Sequence, residues 1–248
     1  YSIITPDLWK LSWDISNNLF VADISNNRVL LYGAPDLEGP VIESSTIPTF
    51  HTVGSGNTGN LTVSDRSGAI VNIQYKGISS SSATDPNQVL ALVDDGSGNY
   101  TFNTNDLLGA GEELGIEFGF EIVDGYGNGA PIAMETIPLQ HPNGMSITNF
   151  GVGSATENYK MFSIPLDLDT KSVNTVFTSI IGGTYDNEKL RVYSYPGGTS
   201  ANYTELSNGQ SLELGKGYFA LSSTSAAVNS GSGTTANVSA SAPFETTL

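Results

Sequence analysis

Apolar and polar residues alternate along much of this chain with a period of two. In Leu61-Thr62-Val63-Ser64, Ala69-Ile70-Val71-Asn72-Ile73-Gln74-Tyr75 and Ile116-Glu117-Phe118-Gly119-Phe120-Glu121-Ile122-Val123, every second side chain is apolar. A strand turns successive side chains to opposite faces, so this pattern predicts strands with one face on a core and one in water. Shorter runs at residues 88–93, 99–102, 159–166, 189–195 and 201–206 read the same way, and Pro165 stops one of them. Pro196-Gly197-Gly198 between the last two marks a hairpin. One segment breaks the period: Val173, Val176, Phe177 and Ile180 fall at helical spacing behind Ser172, a good cap, which predicts a short helix over 172–181. The fold class expected is all-β with at most one short helix.

Two stretches interrupt the pattern. Gly33-Ala34-Pro35-Asp36-Leu37-Glu38-Gly39-Pro40 is one, and Pro138 to Gly144 is the other. They divide the chain into residues 1–37, 38–140 and 141–248. The first part holds an internal echo, Asp14-Ile15-Ser16-Asn17-Asn18 and Asp23-Ile24-Ser25-Asn26-Asn27, each a turn feeding a strand. The second has about seven short strands in about a hundred residues, the count of an immunoglobulin-like sandwich. The third reads as a second β-rich module, giving tandem β-sandwich modules behind a propeller-like or hairpin segment.

Charge narrows the partners. Nine Lys and Arg face twenty-five Asp and Glu, a formal net charge of -16. Phosphate backbones and anionic membrane surfaces are repelled, which argues against nucleic acid. No apolar run approaches the roughly 20 residues of a membrane-spanning helix, so membrane insertion is not expected. The absence of cysteine removes disulfides and thiolate chemistry.

Candidate chemistry is sparse. Only His51 and His141 offer imidazole, both in loop-like surroundings, and no nucleophile elbow, zinc-protease pair or phosphate loop occurs. Neighbouring acids such as Asp94-Asp95 point to opposite faces of a strand and cannot flank one bond, which argues against a glycosidase pair. Two turns bring hard oxygen donors together around glycines: Asp94, Asp95 and Asn99 in one, Asp124 and Asn128 in the other. These are candidate calcium ligands, although Asp-Gly and Gly-Asn turns also arise for backbone reasons alone. Tyr193, Tyr195 and Tyr203 cluster around one hairpin and are candidate ligand-binding rings, since exposed aromatics stack on sugar faces.

Several stretches resemble known modules. Trp13 to Tyr32 resembles an NHL-type β-propeller repeat, covering about half a blade. Gly39-Pro40-Val41-Ile42, Val63-Ser64-Asp65-Arg66-Ser67-Gly68 and the run from Gly115 to Asn128 resemble bacterial immunoglobulin-like and fibronectin type III-like modules. Phe162-Ser163-Ile164-Pro165-Leu166, Leu190-Arg191-Val192-Tyr193 and Leu214-Gly215-Lys216-Gly217-Tyr218-Phe219 resemble a C-terminal module of exported proteins in Bacteroidetes-like bacteria, whose pattern continues past Leu248. These resemblances imply a section of a multi-modular, type IX-secreted surface protein, extracellular or at the cell surface, whose last module is incomplete. The expected role is a non-catalytic structural or adhesion module. Its partners would be other modules of the parent chain, secretion-system shuttle or surface proteins, or surface polysaccharide. The alternatives are an accessory carbohydrate-binding module of an extracellular enzyme and a subunit of an extracellular filament.

Overall fold

The computed structural model describes residues 8–13, 19–23, 26–32, 36–79, 88–108, 113–131, 133–147, 151–195 and 202–237. Strands β1 (Leu8–Trp13), β2 (Leu19–Asp23) and β3 (Arg28–Tyr32) form an antiparallel meander. Among the described residues these strands pair only with one another, and Val21 is the buried apolar side chain they contribute. The echoed turns at 14–18 and 24–25 lie outside the described residues.

The next stretch holds β4 (Val41–Thr46), β5 (His51–Thr52), β6 (Thr58–Ser64), β7 (Ala69–Ser79), β8 (Gln88–Ala91), β9 (Asn99–Asn103), β10 (Glu113–Asp124), β11 (Gly129–Pro131) and β12 (Glu135–His141). Two sheets arise from it, β4-β6-β9 and β12-β10-β7-β8. The alternation read from the sequence decides which residues lie between them. Leu61 and Val63 of β6, Val71, Ile73 and Tyr75 of β7, and Ile116, Phe118, Phe120 and Ile122 of β10 belong to one buried cluster. Phe102 of β9 meets Phe120 edge-on at 5.6 Å and Phe118 at 6.1 Å, so the layers interlock through aromatic contacts.

The remaining elements are β13 (Ser146–Ile147), β14 (Gly151–Val152), β15 (Lys160–Ser163), β16 (Asp167–Leu168), α1 (Val173–Val176), α2 (Thr178–Ile181), β17 (Leu190–Ser194), β18 (Thr204–Leu206), β19 (Gly217–Ser222), β20 (Val228–Asn229) and β21 (Gly233–Thr234). A second buried cluster, from Ile147 to Val228, forms where α1 and α2 cover the inner face of β15-β19-β17-β18. The expected helix is therefore two four-residue turns. Ser172 caps the first, its Oγ accepting the N–H of Asn174 at 3.3 Å. Phe177 then leaves helical geometry (φ -101°, ψ 19°), its fully buried ring meeting Phe162 at 5.8 Å. Gly182 ends the second turn at φ 78°, a conformation natural to glycine.

Hydrogen bonding joins the two buried clusters. β12 pairs in parallel with β5 and antiparallel with β21, which pairs with β16. Thr235 fastens this seam: its N–H donates to the Leu139 carbonyl at 2.8 Å, and its hydroxyl accepts the Leu139 N–H at 2.9 Å. No helix among the described residues is long and apolar enough to cross a membrane.

Candidate functional site

The five candidate calcium ligands occupy two different settings. In the exposed 94–99 turn, Asp94 Oδ1 accepts the N–H groups of Gly96, Ser97 and Gly98 at 2.9, 3.2 and 2.7 Å. Asp95 accepts from Ser97 N–H at 2.8 Å and from the Asn99 amide at 3.1 Å. The Asn99 amide, then the Ser97 N–H, holds the Asp95 carboxyl below its ordinary value. Both carboxylates are spent on closing their own turn, and neither belongs to a group of converging metal-type donors among the described residues.

Asp124 and Asn128 do converge with others. Asp124 is 2% exposed, and one oxygen from each of Asp36, Asp65 and Asp124 lies within 4.8 Å of the other two. Asp124 Oδ1 accepts the N–H groups of Tyr126 and Asn128 at 2.8 and 2.7 Å, while Oδ2 accepts the Asn128 amide at 2.7 Å. Burial pushes this carboxyl up, but the hydrogen bonds, led by Asn128, outweigh it and hold it below the ordinary value. The same Asn128 amide donates to the Asp36 carbonyl at 2.9 Å, drawing the segment before β4 onto the turn. Asp36 Oδ2 is closed off from solvent with no hydrogen-bond partner. Three carboxylates from separate segments are the donor type a hard cation takes. Asp36 and Asp65 were missed because they stand 88 and 59 positions before Asp124, and no local spacing signals such a meeting.

The tyrosines sit on the outer face of the sheet β15-β19-β17-β18. Register aligns Met161 of β15 with Phe219 of β19, Phe219 with Tyr193 of β17, and Tyr193 with Glu205 of β18. Directly opposed residues share a face, so these four side chains form one row across four strands. The opposite face carries Phe162, Tyr218, Val192 and Leu206 into the core. Tyr195 and Tyr203, 41% and 53% exposed, extend the outer row beyond the hairpin. Tyr203 lies between two rings, tilted on Tyr195 at 5.6 Å and edge-on to Phe219 at 5.5 Å, while Tyr159 meets Tyr193 at 5.7 Å. These rings line a hollow of about 350 Å³ formed by Thr156, Tyr159, Tyr193, Tyr203 and Phe219. The turn at 196–198 lies outside the described residues.

Glu205 anchors this face. Its Oε1 accepts from Arg191 Nε at 3.0 Å and the Tyr185 hydroxyl at 3.1 Å; its Oε2 accepts from Arg191 Nη2 at 2.7 Å and the Tyr193 hydroxyl at 3.1 Å. Arg191 also lies over the Tyr193 ring, 5.3 Å from its centroid. The Arg191 hydrogen bonds are the main reason the Glu205 carboxyl sits below its ordinary value. Burial first, then the Glu205 charge, pushes the Tyr193 hydroxyl up to about 12. A carboxylate fixed by four donors holds rings in place and is poorly suited to shuttle protons.

The histidines sit at the seam. His51 is 1% exposed with Nδ1 2.8 Å from the Thr104 hydroxyl. Burial, and secondarily His141, lowers its pKa, and burial lowers that of His141. No protein-family model matches the sequence, and no curated protein matches it significantly.

Proposed function

We propose that the protein is a non-catalytic adhesion module of an exported bacterial surface protein, and that it binds surface polysaccharide through the aromatic face of the sheet β15-β19-β17-β18. The observation that carries this reading is the row Met161–Phe219–Tyr193–Glu205 with Tyr203 set edge-on against Phe219. Exposed rings with polar tips, held in fixed planes, suit sugar rings, which present apolar C–H faces edged by hydroxyls. A face meant only for solvent has no need of them. Calcium enters this reading as a clamp at Asp36, Asp65 and Asp124 that steadies the module, and takes no part in binding sugar.

Retention on insoluble neutral polysaccharides tests the reading. The protein is expected to be retained on at least one of them without releasing reducing ends. Tyr193→Ala combined with Tyr203→Ala is expected to abolish retention while leaving the melting temperature within a few degrees. Retention unaffected by this double substitution would remove the aromatic face from the account.

A further inference from the structure

A second hollow, of about 620 Å³, adjoins the aromatic one and includes Thr184, Asp186, Asn187, Lys189 and Glu205 in its lining. Glu205 lines this hollow, and the Tyr193 hydroxyl that it accepts belongs to a ring lining the first. The Tyr193–Glu205 pair is thus the wall shared by two neighbouring depressions. Both volumes lie in the range of about 300–1,000 Å³ typical of small-ligand sites. Their linings differ in kind: the first is dominated by rings, the second by hydroxyl, amide and charged groups.

The charged side chains that line the second hollow are all ion-paired. Lys189 Nζ is 3.3 Å from Asp186 Oδ2, and Arg191 pairs with Glu205 at 2.7 Å. Neither ion pair leaves a net charge to recruit an ionic ligand. The chain as a whole, at a net charge of -16, disfavours an anionic one. An uncharged polyhydroxylated ligand meets both conditions, because it hydrogen-bonds to paired ions and amides without bringing a charge of its own.

We propose that the two hollows are consecutive subsites for one uncharged oligosaccharide. A disaccharide unit stacks on Tyr203 and Tyr193, and the sugars that follow it along the chain place their hydroxyls against Asn187, Thr184 and the Asp186–Lys189 pair. Glu205 is a positioning residue: it holds the Tyr193 and Tyr185 hydroxyls and so fixes the wall over which the chain bends. This inference rests on the aromatic face being a glycan site, and the experiment separates the two.

Calorimetric titration of the whole chain with disaccharides and hexasaccharides of the cello-, xylo-, malto- and manno- series, and with hexagalacturonate as the anionic control, provides the test. At least one neutral hexasaccharide is expected to bind about tenfold more tightly than its disaccharide, a gain of about 1.4 kcal/mol. Asn187→Ala, an exposed loop change, is expected to erase that gain and leave disaccharide binding unchanged, whereas Tyr203→Ala weakens both. Equal affinity for the two lengths, an equal loss of both in Asn187→Ala, or tighter binding of hexagalacturonate would overturn the two-subsite arrangement while leaving the aromatic face intact. No binding across all the neutral series would overturn both.

Discussion

The two sheets that carry most of the buried residues turn very different outer faces to solvent. On the outer side of β7 and β10, Lys76 opposes Glu117 with 3.3 Å between the charged groups, and Gln74 lies within hydrogen-bond reach of Glu121 at 3.5 Å. On the outer side of β15, β19, β17 and β18 stand Met161, Phe219 and Tyr193, with Tyr203 beside them. Both sheets bury their inner faces in the same way, through period-two alternation. Stability therefore accounts for the inner faces of both and for the ion pair on the outer face of the first, where the aliphatic Ile70 and Val89 also stand exposed but, among the described residues, no row of rings forms. It does not account for a half-exposed aromatic face on the second, where each exposed ring forgoes the gain of full burial. Under the proposed function, recognition belongs to the second outer face and scaffolding to the first.

The largest effect that bears on this contrast is on stability. Phe118→Ala in the first cluster and Phe177→Ala in the second are each expected to cost about 3–5 kcal/mol, because both rings are essentially fully buried. Tyr203→Ala is expected to cost under about 0.5 kcal/mol, in line with a surface position. Urea midpoints of the three variants decide the matter. A Tyr203→Ala loss approaching that of Phe177→Ala would mean that the aromatic face is the margin of a core, and the distinction between the sheets would collapse.

The next effect concerns the end of the first sandwich. Calcium added to chelator-treated protein is expected to raise the melting temperature by several degrees, since a ligand at a hundred times its dissociation constant stabilises by about 2.7 kcal/mol. Asp65→Asn is expected to abolish the rise, and Asp95→Asn to leave it, because among the described residues Asp65 converges with Asp36 and Asp124 whereas Asp95 belongs to no such group. A rise that survives Asp65→Asn but disappears in Asp95→Asn would move the ion to the 94–99 loop. No rise at all would leave Asp36, Asp65 and Asp124 as a purely structural junction.

What was legible in the sequence follows from distance along the chain. The strands at 61–64, 69–75 and 116–123 announce themselves because alternation is a property of neighbours. The tyrosine cluster was visible for a similar reason: Tyr193 and Tyr203 flank one hairpin, and β17 and β18 pair across it. Met161 and Phe219 were not visible as its companions. They join Tyr193 through the register of β15 and β19, which is settled by how the inner residues Phe162, Tyr218 and Val192 pack. The acidic cluster failed in the same way. Asp124 and Asn128 are local to each other, but Asp36 and Asp65 reach them only once the β6–β7 turn and the segment before β4 are folded against the end of β10. The helix was half legible, because spacing revealed its buried face but not the break at Phe177.

The smallest effect sharpens the comparison by pH. Glu205 has its carboxyl held below the ordinary value of 4.5, first by Arg191 and then by the two tyrosine hydroxyls, against the opposing effect of burial. A carboxyl lowered on folding contributes stability that is fully present above its unfolded pKa and is lost as pH falls through its folded one. Replacing Glu205 by Gln removes that contribution, so the wild-type protein should be slightly more stable than Glu205→Gln at pH 6–7, by under about 1 kcal/mol for a partly exposed pair. Below pH 4.5 the two melting curves should converge as wild-type Glu205 takes up its proton. Because the same carboxylate fixes the Tyr193 ring, glycan affinity should fall in Glu205→Gln across the whole range and fall in the wild type only on acidification. A Glu205→Gln variant with normal affinity at pH 7 would show that the rings need no anchor. The ion pair would then be the counterpart of Lys76–Glu117 on the other sheet, a feature of the solvated surface with no part in recognition.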